Sequence, residues 1–266
     1  MAKIFRESPI FDVYIATKSL HGADEYAVIY DPDTDYYRLD VVVCDGMGRS
    51  ENAKISSSVA ANELAVLLPT LFNSPNPLED AKAAFYNVNK TVWDAQDIKY
   101  PDRGTTAVTA SFRPAKDGSI DLYWANIGDS RIFAVTPEGR YESMSWEESF
   151  LSKPHSGPYN YLGKQDMKVD QIGHRKLTPG MFIVLVSDGI TGGRPPLLDE
   201  ELAACCKQDD PAFTLIKASM VNDDKTVVVV KVKDFYPVSA ENKSALPVGA
   251  HFLFKICILG FNTVLF

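Results

Sequence analysis

Apolar residues fall into short runs along the chain, some alternating with polar positions and some unbroken. Residues 11 to 17 (FDVYIAT), 26 to 30 (YAVIY) and 37 to 44 (YRLDVVVC) are rich in β-branched and aromatic side chains. HGADE and DPDTD lie between them as turn sequences, so the pattern predicts antiparallel strands in a meander. Ser50 can cap a helix through ENAKISSSVAANELAVLL, in which Ile55, Val59, Leu64 and Leu67 fall close to helical spacing and Pro69 is expected to end it. A second helix, Leu78 to Ala95, presents Ala81, Phe85, Val88 and Val92 on one face. Strand patterns return at 105 to 112, 120 to 127, 131 to 135, 181 to 187 and 226 to 232, with KDG at 116 to 118 as a hairpin turn. Two shorter helices fit 198 to 206 and 211 to 220. Strands in short hairpins with helices grouped between them predict an α+β fold of two packed antiparallel sheets flanked by helices, rather than a parallel βαβ sheet.

Composition narrows the setting. A chain of 266 residues, 45% hydrophobic and 23% charged, buries a sizeable core and is read as one domain over residues 1 to 235 followed by an apolar tail, 236 to 266. The net charge is -8 and no run of lysine or arginine occurs, which argues against a nucleic-acid partner. Cys44, Cys205, Cys206 and Cys257 show no metal-ligand spacing and read as buried thiols of a reducing compartment. The opening MAKIFRESPIFDVY lacks the apolar stretch of a secretory signal, so the expected location is the cytoplasm. In the tail, 13 of the 19 residues from Val248 to Phe266 are apolar, but His251, Lys255 and Asn262 interrupt them. Membrane association of this segment is therefore less favoured than docking on the domain. The oligomeric state is not legible.

The chemistry lies in aspartates at strand boundaries. Asp45 (VVVCDGMG), Asp188 (IVLVSDGITGG) and Asp223 (VNDDKTVVVV) adjoin strongly apolar strands, and Asp24 (HGADEY) and Asp129 (WANIGDSR) hold similar positions. One Asp-Gly after a strand is an ordinary turn signal. If five such groups converge, each pair at about 4 Å costs roughly 4 kcal/mol at an effective dielectric near 20, so convergence requires bound cations. An all-oxygen ligand set favours magnesium, manganese or calcium over zinc, and paired ions of this kind serve phosphoryl displacement.

In order, DGMG (45 to 48), GTT (104 to 106), GDSR (128 to 131), YLG (161 to 163), SDG (187 to 189) and DDKT (223 to 226) resemble the PPM family, the type 2C metal-dependent protein phosphatases, in their bacterial form. The resemblance covers about residues 8 to 233. It implies an αββα sandwich and hydrolysis of phosphoserine and phosphothreonine in protein substrates by a hydroxide between two Mn2+ or Mg2+ ions. By position, Asp45 would bridge both ions and the Gly46 carbonyl would bind one. Asp188 and Asp223 would hold the other, Asp24 would contact metal directly or through water, and Asp129 would serve a third, weaker ion or orient a water.

Four features depart from the family pattern. The arginine that binds substrate phosphate has no counterpart in IATKSLHGADEY, leaving Lys18 or His21 as point charges without a bidentate fork. Met47 stands where some relatives carry a histidine, and Arg49 replaces a glycine. The stretch from Arg131 to Tyr161 is short and lacks an aspartate-histidine motif, which implies a reduced substrate-facing flap. His155 and His174 read as structural or exposed. Two other readings stay open: a phosphatase for small phosphomonoesters, and a catalytically silent PPM-like module that binds a partner.

Overall fold

The computed structural model describes residues 1–31, 38–48, 51–71, 74–97, 104–115, 117–146, 158–192 and 197–234. The chain opens with strands β1 (Ala2–Glu7), β2 (Phe11–Lys18), β3 (Asp24–Asp31) and β4 (Arg38–Asp45). Helices α1 (Glu51–Leu71) and α2 (Pro77–Ala95) follow. Strands β5 (Ala107–Pro114), β6 (Ile120–Ile127), β7 (Arg131–Val135), β8 (Tyr141–Ser143), β9 (Gln171–Leu177) and β10 (Phe182–Val186) come next. Helices α3 (Asp188–Thr191), α4 (Asp199–Cys206) and α5 (Pro211–Ala218) precede the last described strand, β11 (Lys225–Val232).

The strands form two antiparallel sheets, one in the order β1-β2-β11-β10-β7-β8 and the other β3-β4-β5-β6-β9. Phe11, Val13, Val41, Phe112, Ile183 and Val230 fill the space between them. On the outer face of the second sheet, Leu64 and Leu68 of α1 and Phe85 and Val88 of α2 cover Val42 and Ile127. On the outer face of the first, Leu202 of α4 and Leu215 and Ile216 of α5 cover Phe133, Val184 and Val229. These four layers explain the VVVV run of β11: Val228 and Val230 face the inter-sheet core while Val227 and Val229 face the helices. Each buried valine contributes at most about 1.5 to 3 kcal/mol, an upper figure because the unfolded chain already hides some surface.

Several sequence expectations are corrected here. Strands β2, β3 and β4 are not one meander, because HGADE carries the chain from the first sheet to the second. The strands β1, β8 and β9 and the four-residue α3 carried no sequence signal; β1 is an edge strand that buries little, and β9 alternates only weakly. Pro69 lies inside α1 instead of ending it. The last carbonyls are satisfied by side chains, since Arg113 donates to Leu68 O at 2.9 Å and Thr70 to Leu67 O at 2.9 Å. The buried face of α1 also differs from the expected one: Ala53, Ser56, Ser57, Ala60, Ala61, Leu64, Ala65 and Leu68 face inward, whereas Ile55, Val59 and Leu67 are half-buried. Small residues let this helix lie close to the sheet. Cys44, Cys205 and Cys206 are free and buried, as expected. Ser50, Arg49, His155, Cys257 and the tail from residue 236 lie outside the described residues.

Candidate functional site

Register places the aspartates at one end of the sandwich. Asp24, the first residue of β3, pairs directly with Asp45, the last of β4. In the facing sheet Lys18 pairs with Lys225, and Val186 pairs with both Arg131 and Val227, so the ends of β2, β11, β10 and β7 coincide. Asp188 follows β10, Asp129 precedes β7 and Asp223 precedes β11.

A hydroxyl network fixes these ends. Ser187 Oγ donates to Asp24 Oδ2 at 2.9 Å and accepts from Thr226 N at 3.0 Å, tying the first sheet to the second. Asp45 N donates to Thr106 Oγ1 at 3.0 Å, and that hydroxyl shares a 2.6 Å hydrogen bond with the buried Ser130. The Asp45 carbonyl accepts from Thr106 N at 2.8 Å and Thr105 Oγ1 at 2.9 Å. Thus GTT, GDS and SDG supply hydroxyls as well as turns. Asp224 performs a similar task for the β2–β3 connection: its carboxylate accepts from the amides of Leu20, His21 at 2.8 Å and Ala23 at 2.8 Å. These amides hold its carboxyl below the ordinary value despite burial.

Two glycines are required by close approach. A Cβ at Gly46 would collide with the Ala53 carbonyl and stand 2.9 Å from Ala23 O; one at Gly189 would collide with Asp224 O. The backbone after each strand-end aspartate is therefore pressed against a neighbouring chain segment.

The electrostatics separate the five aspartates. Burial, followed by the negative charges of Asp24, Asp188 and Asp129, drives the Asp45 carboxyl well above its ordinary value. Burial also pushes Asp24 up, against its own hydrogen bonds. Glu25 beside it is pushed up to about 7, first by burial and then by Asp24. Asp129 is buried. Asp223 is exposed at the rim, where its Oδ1 accepts from Asp224 N at 2.9 Å. The structure therefore brings Asp24, Asp45, Asp129 and Asp188 into one field and leaves Asp223 at its edge. Lys18 is half-buried and lines a small cleft with Asp24, Glu25, Lys225 and Thr226, while His21 stands in the connection held by Asp224. His174 lies away from the site on β9, bonded to Asp121 at 2.8 Å.

Among the described residues no three Asp, Glu, His or Cys side chains stand in a ready ligand arrangement. The donor set nevertheless fits a hard divalent cation. It consists of carboxylates, their mutual repulsion is unrelieved at Asp45, and the buried Asp24 Oδ1 has no hydrogen-bond partner among the described residues.

The protein phosphatase 2C family model matches residues 17–213, a span that contains Asp24, Asp45, Asp129 and Asp188. The chain belongs to the protein phosphatase 2C family. Solved structures share the fold of this phosphatase 2C chain at low identity. The S. agalactiae serine/threonine phosphatase aligns at TM-score 0.69 and 19% identity, covering 84% of this chain and 100% of that one. The Mycobacterium tuberculosis phosphatase PstP/Ppp aligns at 0.66 and 20%, covering 84% and 99%. RsbX, solved in complex with magnesium, aligns at 0.62 and 15%, covering 87% and 100%. No curated protein matches this sequence. Sequence reasoning missed Ser187, Thr106, Ser130 and Asp224 as supports of the site, although the paired aspartates of DDKT were a visible signal for the last.

Proposed function

We propose that this phosphatase 2C protein hydrolyses phosphoserine and phosphothreonine in proteins and depends on two Mn2+ or Mg2+ ions. The observation that carries this reading is the field at Asp45, where three neighbouring carboxylates and burial all oppose ionisation. Asp45 and the Gly46 carbonyl, with Asp24, Asp188 and Asp223, would hold the ions, and Asp129 would serve a third or orient a water. When bound, the cations supply Lewis-acid polarisation of the phosphoryl group and lower the pKa of water.

The chain's own residues supply position and charge. Ser187 orients Asp24 through Oδ2 and leaves Oδ1 for a ligand. Thr105 and Thr106 fix the backbone of Asp45, so its carboxylate projects from a rigid strand end. Asp224 holds the connection that carries His21, and Lys18 stands in the cleft beside Asp24. Either Lys18 or His21 is suited to bind substrate phosphate as a compact charge. The free thiols and the family's protein substrates suit a cytoplasmic setting, and no described helix is long and apolar enough to cross a membrane. The test is hydrolysis of a phosphothreonine peptide beside a chromogenic phosphomonoester, with manganese, magnesium or chelator. Metal-dependent turnover of the peptide supports the reading. Turnover of the small ester alone, or of neither, overturns it.

A further inference from the structure

Among the described residues the sandwich is open along the side where β1 and β3 form the edges of the two sheets. There a cavity of about 240 Å³ lies between Ile4 of β1, Phe11 and Val13 of β2, Val28 and Tyr30 of β3 and Leu39 of β4. An engineered apolar cavity of about 150 Å³ accepts benzene, so this groove has room for more than one large apolar side chain. Ile4, Val28 and Tyr30 belong to the inter-sheet core but remain partly exposed, as if one more element were needed to finish it.

The last described residues stand at the mouth of this groove. After β11, Lys233 N donates to Ile10 O at 2.8 Å, and Lys233 Nζ pairs with Glu7 at 2.9 Å and Asp12 at 3.4 Å. Glu7 is itself a lining residue of the cavity. Beyond that anchor the sequence continues through a polar linker to a segment, Val248 to Phe266, in which 13 of 19 residues are apolar. The 14 residues from Asp234 to Pro247 reach at most about 50 Å when extended, against about 27 Å for an eight-residue strand. The linker thus spans the groove from any point along it. Tethering at the mouth also gives the segment a local concentration near the millimolar range, far above that of a second copy or of another partner at ordinary protein concentrations.

We propose that the apolar segment 248–266 of this chain docks in the open inter-sheet groove lined by Ile4, Phe11, Val13, Val28, Tyr30 and Leu39. Docking closes the side of the sandwich that β1 and β3 leave uncovered, and it uses no residue of the aspartate site. The burial also removes a contiguous apolar surface from water.

The test places p-benzoylphenylalanine at Tyr30 of the full chain, a half-exposed aromatic position, and maps the photocrosslink by mass spectrometry. The expected product is an intramolecular crosslink into residues 246–266, independent of protein concentration from 1 to 50 µM. A crosslink between two chains, capture of lipid when phosphatidylcholine vesicles are present, or no crosslink to the tail overturns the proposal. A second measurement is amide exchange over 248–266 in the full chain and in the Ile4→Asp and Val28→Asp variants. Exchange at least tenfold faster in both variants, with metal-dependent hydrolysis kept, supports docking. Equal exchange in the unsubstituted chain and both variants overturns it.

Discussion

The two ends of β4 treat a buried carboxylate in opposite ways. Asp40, near its start, is 2% exposed and lies 2.7 Å from the guanidinium of Arg113, itself 8% exposed. Arg113 also donates to the carbonyls of Leu68 and Phe112, so the pair is neutralised and hydrogen-bonded within the protein. Burial still lifts the Asp40 carboxyl, but the arginine pulls it back. Asp45, at the other end, meets Asp24, Asp188 and Asp129 instead. One strand therefore carries a carboxylate whose counter-charge is built in and another that burial and three neighbouring carboxylates drive toward its neutral form. Buried charge alone does not mark a site; its unpaired sign does.

The largest effect that would sharpen this contrast is on catalysis. Asp45→Asn is expected to lower turnover of a phosphothreonine peptide by at least about a thousandfold, on the order of 4 kcal/mol in the barrier, with Asp188→Asn and Asp223→Asn also costing orders of magnitude. At Asp45 and Asp188 the change should leave the metal-free melting temperature equal or higher, since each removes one member of a repulsive group. A marked loss of metal-free stability in both would assign these residues a structural role.

Asp40→Ala should do the reverse. It leaves Arg113 buried without its carboxylate, so denaturant unfolding should show a loss of about 3 to 5 kcal/mol while metal affinity of the folded protein is unchanged. A loss below about 1 kcal/mol would break the comparison.

A third expectation concerns pH. Glu25 titrates at about 7 in the folded protein against an ordinary value of 4.5, and Asp24 and Asp45 are raised as well. A raised folded pKa means that the native state binds more protons than the unfolded chain between roughly pH 4.5 and 7, so stability is greatest below that window and is lost as pH rises through it. Metal-free protein should lose on the order of 2 kcal/mol from Glu25 between pH 5 and 8, and saturating magnesium should flatten the slope. A flat metal-free profile would refute the raised values.

The smallest effect is expected at the cleft. Lys18→Ala or His21→Ala should reduce kcat/KM several-fold for every phosphoester without changing metal affinity. Unchanged kinetics in both variants would mean that neither side chain holds the phosphate.

Most of the fold was legible because strands buried on both faces, such as 226 to 232, and the Ala81-Phe85-Val88-Val92 face of α2 write strong apolar patterns. What escaped was governed by packing. Strand β1 exposes all but Ala2 and Ile4, and α1 buries alanines and serines because it lies close to the sheet. The site was legible at its aspartates, since strand-end carboxylates stand out beside apolar runs. Its supports were not, because Ser187, Thr106 and Ser130 act through contacts between segments far apart in the chain. The swing of the chain from β2 across to β3 was likewise hidden, as a turn sequence does not say which sheet it enters.

The place of β11 has a consequence for synthesis. This strand, the last one described, does not add to an edge but inserts between β2 and β10, pairing with both. It also brings Asp223, and with it Asp224, whose carboxylate fastens residues more than 200 positions earlier in the chain. A nascent chain that has emerged from the ribosome only as far as residue 224 therefore has its first sheet split, with β2 and β10 facing each other across an unfilled slot. Until residues 225 to 232 emerge, the ends of β10 and β7 that adjoin Asp188 and Asp129 lack the strand that joins them to β2. The first sheet is thus complete only once the last described strand has been made.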